Sequence, residues 1–179
     1  MDTLLKICRY VDALNQRLGK VAAGLVLLAC LVSAANAAVR YAFDTSSNAW
    51  LEIQWYMFGA MFLLGAAYTL YRNEHVRVDI LYGRLSTRAQ LWIDILGGAL
   101  FLLPTCVIIA WLAWPLFWDS FLIREQSSNA GGLARWPIKF FLPFGFTLLA
   151  LQGVSEIIKR IGALTGHYVL THQYEKPLQ

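Results

Sequence analysis

Cysteine, histidine and the carboxylates are the side chains that could do chemistry here, and they are few and scattered. Cys8, Cys30 and Cys106 stand alone, with no C-x-x-C pair to act as a redox dithiol and no nearby histidine to complete a zinc site. His75, His167 and His172 all fall outside the long apolar stretches, which argues against a haem held by helix-borne histidines. His75 and Asp79 would share a face at i and i+4 of a helix. The alternation of Val76, Val78 and Ile80 with Arg77 and Asp79 fits an extended segment equally well. A lone histidine beside a carboxylate is read more simply as a surface ion pair than as a catalytic dyad. An ion-coupled carrier places an ionisable residue at depth in the membrane, whereas Asp94 and Glu156 lie near the ends of apolar stretches. These residues point away from an enzyme, and neither a metal nor a cofactor is expected.

The elements that position them are membrane spans. The chain has 179 residues, 58% of them hydrophobic, with a mean hydropathy of +0.52. Four apolar stretches run over about 21–39, 53–70, 95–118 and 140–157. Each is long enough at about 1.5 Å per residue to cross roughly 30 Å of hydrocarbon, so the expectation is an all-α membrane protein with four transmembrane helices. The remaining residues are split among two tails and three loops too short for a separate soluble domain, which makes residues 1–179 a single membrane domain.

The net charge of +4 sits at one end of this arrangement and does not suggest a nucleic-acid partner. Lys6, Arg9, Arg17 and Lys20 precede the first span; Arg72, Arg77, Arg84 and Arg88 follow the second; Lys159, Arg160 and Lys176 follow the fourth. Only Arg40, Arg124, Arg135 and Lys139 face the other side. The positive-inside rule then puts both termini in the cytoplasm, in a bacterial inner membrane. Ala35-Asn36-Ala37 resembles a signal cleavage site, but the apolar run is too long for a signal core and three spans follow it.

Before the first span, Leu4, Ile7, Val11, Leu14 and Leu18 recur at spacings of three and four. Residues 1–20 are therefore either an amphipathic helix on the cytoplasmic membrane surface or against a partner, or an extension of the first span. Within that span Ala29, Ser33 and Ala37, and likewise Ala34 and Ala38, leave a side with little bulk where another helix could approach. Trp50, Trp55 and Tyr56 form an aromatic belt at the start of the second span. Glu52 stands there near the positive end of the helix dipole. Ser86 is a plausible N-cap for the third span, in which Pro104 and Pro115 each remove a helix hydrogen bond. The loop from Glu125 to Trp136, with Ser127, Ser128, Asn129, Gly131 and Gly132, is the longest flexible outward surface. In the fourth span Pro143 and Gly145 weaken the first half, and Gln152, the strongly polar interior side chain, is expected to bridge helices. Glu156 has Lys159 and Arg160 at i+3 and i+4, a spacing that permits neutralising pairs.

With these residues in place the chain resembles the DctQ-like small membrane subunit of tripartite ATP-independent periplasmic (TRAP) transporters. The resemblance covers nearly the whole chain. It rests on Trp50 and Glu52 opening the second span, Gly65-Ala66-Ala67, His75-Val76-Arg77-Val78-Asp79, Glu125 with Ser127, Pro137, Pro143 with Gly145, and Gln152. Many relatives carry a second acidic residue after the position of Glu52, where this chain has Ile53.

The resemblance implies a small subunit that scaffolds a large elevator-type permease subunit. That complex imports an organic acid, delivered by a periplasmic binding protein and driven by a sodium gradient. This chain would then bind neither substrate nor ion. Its expected partners are the large membrane subunit, in a stable complex, the periplasmic binding protein, in a transient one, and membrane lipids. Trp50, Glu52, His75, Arg77, Asp79, Glu125, Ser127 and Gln152 are its expected interface or structural residues. The rival readings are a small autonomous four-helix transporter or homo-oligomer, and a membrane redox enzyme.

Overall fold

The computed structural model describes residues 1–45, 47–75 and 82–169. In hydrocarbon every backbone N–H and C=O must find its partner within the chain, so long apolar runs become helices. Among the described residues four such helices result: α1 (Asp2–Phe43), α2 (Asn48–Tyr71), α3 (Thr87–Leu122) and α4 (Trp136–Leu164). All four are long and apolar enough to cross a membrane.

Local chemistry marks their ends. The Ser47 hydroxyl accepts the Ala49 N–H at 3.3 Å at the start of α2. The Ser86 hydroxyl accepts the Ala89 N–H at 3.4 Å at the start of α3, as the sequence suggested. Helix α4 begins with Pro137 in its first turn, where no N–H is needed. Helix α1 stops at Asp44, which turns into the left-handed region at φ 51° and returns its N–H to the Arg40 carbonyl.

Helix α4 is the hub. It packs on α1, α2 and α3, while α1 and α2 also lie side by side and α3 rests chiefly on α4. Residues 5 and 162 meet, so the start of α1 and the end of α4 lie at the same end of the bundle. The apolar centre is Ala22, Leu64, Ala67 and Leu148, with Leu18, Met61, Phe141, Phe144 and Leu149 around it. Small residues set the helix spacing, because helices in lipid associate by close contact rather than by escaping water. Gly145, which the sequence suggested would weaken α4, is where α4 touches α2. A Cβ there would sit 2.7 Å from Leu63 Cβ and 3.1 Å from the Leu63 carbonyl oxygen. Toward the Glu52 end α3 and α4 are joined by aromatic rings, Phe117 against Phe140 at 5.4 Å and Phe121 against Trp136 at 5.4 Å.

Of the two readings left open for residues 1–20, the structure has the extension: they are the first half of one continuous 42-residue helix. The stripe of Leu4, Ile7 and Leu14 faces outward on that helix, and the side that packs inward is Leu5, Cys8, Asp12, Asn15, Gly19 and Ala22. A soluble protein would turn the apolar stripe inward; a membrane bundle buries its small and polar side and leaves apolar side chains outside. Beyond Ala29 the low-bulk side of α1 is bare, with Ser33, Ala34, Ala37 and Ala38 all exposed.

Gly145→Ala is expected to destabilise the bundle by about 1–3 kcal/mol, because a backbone carbonyl and a Cβ cannot swing aside. Gly65→Ala, at a position with open space, is expected to be neutral or mildly stabilising. Thermal unfolding of the two variants in detergent checks this, and equal effects would refute the close approach.

Candidate functional site

The charged and polar residues gather at the two ends of the bundle. At the end where α1 starts and α4 finishes, α4 supplies Gln152, Ser155, Glu156, Lys159 and Arg160, all buried. Lys159 Nζ donates to both carboxylate oxygens of Asp12 on α1, at 3.1 and 3.2 Å, and to Glu156 one turn back. Arg160 donates through Nε to Asp94 on α3 at 2.9 Å, and to Glu156. Its remaining terminal nitrogen donates to Asn73 Oδ1, just past α2, at 3.4 Å. The pairing of Glu156 with Lys159 and Arg160 follows the spacing read in the sequence. The two cations also hold carboxylates of α1 and α3, which that spacing does not show.

One turn deeper, Gln152 is fully buried and bridges helices as expected. Its Nε2 donates to Asp12 and to Glu156, each at 2.9 Å, while its Oε1 accepts Asn15 Nδ2 at 2.7 Å. The Ser155 hydroxyl donates to Asp12 at 3.3 Å, and the Cys8 thiol lies 3.8 Å from the Ser155 carbonyl. The Tyr71 ring of α2 covers Lys159 Nζ at 5.3 Å and accepts Gln16 Nε2 on its hydroxyl at 2.6 Å. A groove of about 260 Å³ opens beside this layer, lined by Leu70, Ile93, Gly97, Gly98, Gly153 and Ile157, with Asp94, Glu156 and Arg160 at one end. The layer joins all four helices through charge-assisted bonds. Its carboxylates and cations are committed to one another, so the chemistry it supports is fastening rather than proton transfer or nucleophilic attack.

At the opposite end Glu52 is the fixed point. It lies beyond the first turn of α2, so the dipole reading gives way to direct hydrogen bonding. Its buried carboxylate accepts the Ser127 hydroxyl, Asn129 Nδ2 at 2.8 Å and the Leu133 N–H at 2.7 Å. The loop that the sequence presented as slack is therefore pinned. Ser127 N–H donates to the Leu133 carbonyl at 3.0 Å, Arg135 N–H to the Glu125 carbonyl at 2.9 Å, and Asn48 Nδ2 to the Ala130 carbonyl at 3.0 Å. Gly132 is required by space, since a Cβ would sit 2.5 Å from Ser127 Cβ and 2.9 Å from the Glu52 carboxylate. Gly131 turns the loop at φ 70°. Lys139 donates to the Glu125 carboxylate, and Arg135 lies 3.7 Å from it. The Lys139 hydrogen bond above all holds the Glu125 carboxyl below the usual carboxylate range, and the charges of Lys139 and Arg135 act in the same direction. Trp50 stands exposed beside this cluster.

The structure thus brings Glu52 and Ser127 into direct contact, places Glu125 in the same loop, and sets Gln152 at the far end. His75 is exposed, while Arg77 and Asp79 lie outside the described residues. Among the described residues there is no group of three or more His, Cys, Asp or Glu that could hold a metal. The three cysteines are free, Cys8 and Cys106 buried and Cys30 exposed. Asp12 and Asn15 were passed over in the sequence. Their signal is the 8-12-15-19-22 spacing of small and polar residues, which runs beside the more conspicuous apolar stripe.

The model of one family, described as the DctQ component of tripartite ATP-independent periplasmic transporters, matches residues 29–163. Comparison with curated proteins and with solved structures returns no match.

Lys159→Met is expected to lower the unfolding free energy by about 3–5 kcal/mol, because it leaves the buried Asp12 carboxylate without its cation, while Glu156 keeps Arg160. Restoration toward wild type by the added change Asp12→Asn would identify the lost pair as the cause; a small effect of K159M alone would contradict it. For Glu125 the folded value is depressed. The stabilisation from its pair is therefore present in full above the unfolded value of about 4.3, and is lost as pH falls through the lower folded value. Unfolding midpoints followed from about pH 6 to about pH 3 are expected to drop less steeply for E125Q than for wild type. Parallel curves would show that the pair contributes nothing.

Proposed function

We propose a function from the premise that the chain belongs to the DctQ component family of tripartite ATP-independent periplasmic transporters. It is a component of such a transporter, and we read it as the small membrane subunit that scaffolds the large one. On this reading the large subunit carries an organic acid by an elevator movement driven by a sodium gradient, and a periplasmic binding protein delivers the cargo. An elevator needs a wall that does not move with it. The observation that carries the reading is the buried ionic layer, in which Lys159 and Arg160 fasten carboxylates of α1, α3 and α4 to one another. A bundle tied in this way resists sliding of one helix past another, as a scaffold should.

The basic residues cluster with the termini, so the reading places that end in the cytoplasm and the Glu52 end in the periplasm, within a bacterial inner membrane. The pinned loop 125–135, with Trp50 and Glu52 beside it, is then available to the binding protein. His75, Arg77 and Asp79 are assigned to the cytoplasmic loop or its contact with the large subunit, since they form the most distinctive part of the family resemblance.

Reconstitution into vesicles tests this. The chain alone is expected to give no uptake, and the chain with its large subunit, a sodium gradient and loaded binding protein is expected to transport. Uptake by the chain alone would overturn the accessory role in favour of an autonomous transporter or homo-oligomer. Alanine at His75, Arg77 and Asp79 together is expected to reduce recovery of the large subunit; unchanged assembly and uptake would remove the role given to them.

A further inference from the structure

One face of α3 carries backbone acceptors that find no donor among the described residues. Helix α3 widens into a π-helical turn over Gly98–Leu102, and the Leu103 N–H reaches back to the Gly98 carbonyl. The next residue, Pro104, has no N–H. The Ala99 carbonyl is therefore passed over, because its α-helical donor would be Leu103 and its π-helical donor Pro104. Pro115 repeats the loss further along, removing the α-helical donor of the Trp111 carbonyl. A neighbouring hydroxyl often repairs such a gap. Elsewhere in the bundle the hydroxyls of Thr69, Thr147 and Thr165 turn back onto the carbonyls of Gly65, Pro143 and Ile161, so the bond is open to a helical threonine. Thr105, exposed beside Pro104, makes no such bond among the described residues.

These acceptors lie on the bare side of the helix and at depth. Cys106, Ala110 and Ala113 are the buried side. Val107, Ile108 and Leu112 are exposed with both prolines, Phe101 is 73% exposed and Trp111 is 75% exposed. Leu102 and Leu103 meet α4 at Gly153, and Phe117 meets it at Phe140, which sets the Pro104 region well inside the apolar span. An acyl chain has no donor to offer a carbonyl, and an unsatisfied carbonyl in hydrocarbon is expensive. The electrostatic complement of this face is a helix that carries a donor.

We propose that the Pro104 and Pro115 face of α3 is the docking surface for a helix of the large membrane subunit, which presents a hydroxyl, amide or indole donor to the Ala99 carbonyl. The inference rests on the reading of this chain as an accessory subunit, and it selects one helix face for the joint. Apolar Val107, Ile108 and Leu112 supply the close contact around the hydrogen bond.

A benzophenone amino acid incorporated in place of Val107, and separately of Ile108, in cells that also make the large subunit tests the surface. Irradiation of membranes is expected to give an adduct with the large subunit from both positions. Adducts with lipid alone, or with a second copy of this chain, in a complex that still co-purifies would overturn the surface while leaving the accessory reading intact. Failure of the unsubstituted chain to recover the large subunit would overturn the accessory reading and the surface with it. Pro104→Ala tests the hydrogen bond, because it returns the missing N–H. The chain alone is expected to become more heat-resistant, while the complex loosens by about threefold to tenfold. Unchanged retention of the large subunit by P104A would overturn the hydrogen bond.

Discussion

Two adjacent cations on α4 hold the bundle together. Lys159 reaches Asp12 on α1, Arg160 reaches Asp94 on α3 and Asn73 past the end of α2, and Glu156 lies between them and accepts from both. Charges removed from water are stable only when nearly every lone pair and proton is engaged, so each helix has one permitted height and rotation at this layer. The heights that follow bring Gln152 opposite Asn15 and set Gly19 against Tyr68. The continuous length of α1 follows from the same constraint. Its first half would have no reason to stay in line with the span if Asp12 and Asn15 were not seated on α4.

Between the ends the helices are held by fit alone. Ala22, Ala67, Gly19 and Gly145 bring backbones close, and in lipid such close contact is the main source of association. The Glu52 end is fastened differently. One carboxylate accepts three donors from a single loop, which converts a Gly- and Ser-rich connection into a shaped surface. A bundle clamped at both ends and filled with small residues in between is consistent with the proposed scaffold role.

Much of this was legible in advance, and the misses share a cause. Four spans, the Ser86 cap, the bridging by Gln152 and the pairing of Glu156 with Lys159 and Arg160 depend on local spacing, which a sequence displays directly. The burial of Asp12 and Asn15, and the outward stripe of Leu4, Ile7 and Leu14, reverse a rule learned from soluble proteins: in this bundle the small and polar side is the packed side. The order in the 125–135 loop was invisible because its anchor, Glu52, lies far away in the chain, and a glycine-rich segment looks slack until its partner is known. The π-helical turn before Pro104 likewise reflects both the proline and how Gly98, Leu102 and Leu103 of α3 settle against Ile157 and Gly153 of α4.

The amino-acid sequence by itself determined the class of this protein: an all-helical chain with four apolar segments of membrane length, its basic residues gathered toward one end. Segment length and charge are sums over neighbouring residues, so they survive without any knowledge of contacts. Only the tertiary structure decided which faces of those helices meet, that Asp12, Asp94, Glu156, Lys159 and Arg160 form one layer, and which carbonyls of α3 are left bare. These depend on residues far apart in the chain reaching hydrogen-bond distance. In a medium without water such contacts decide which polar groups are satisfied and which still require a partner.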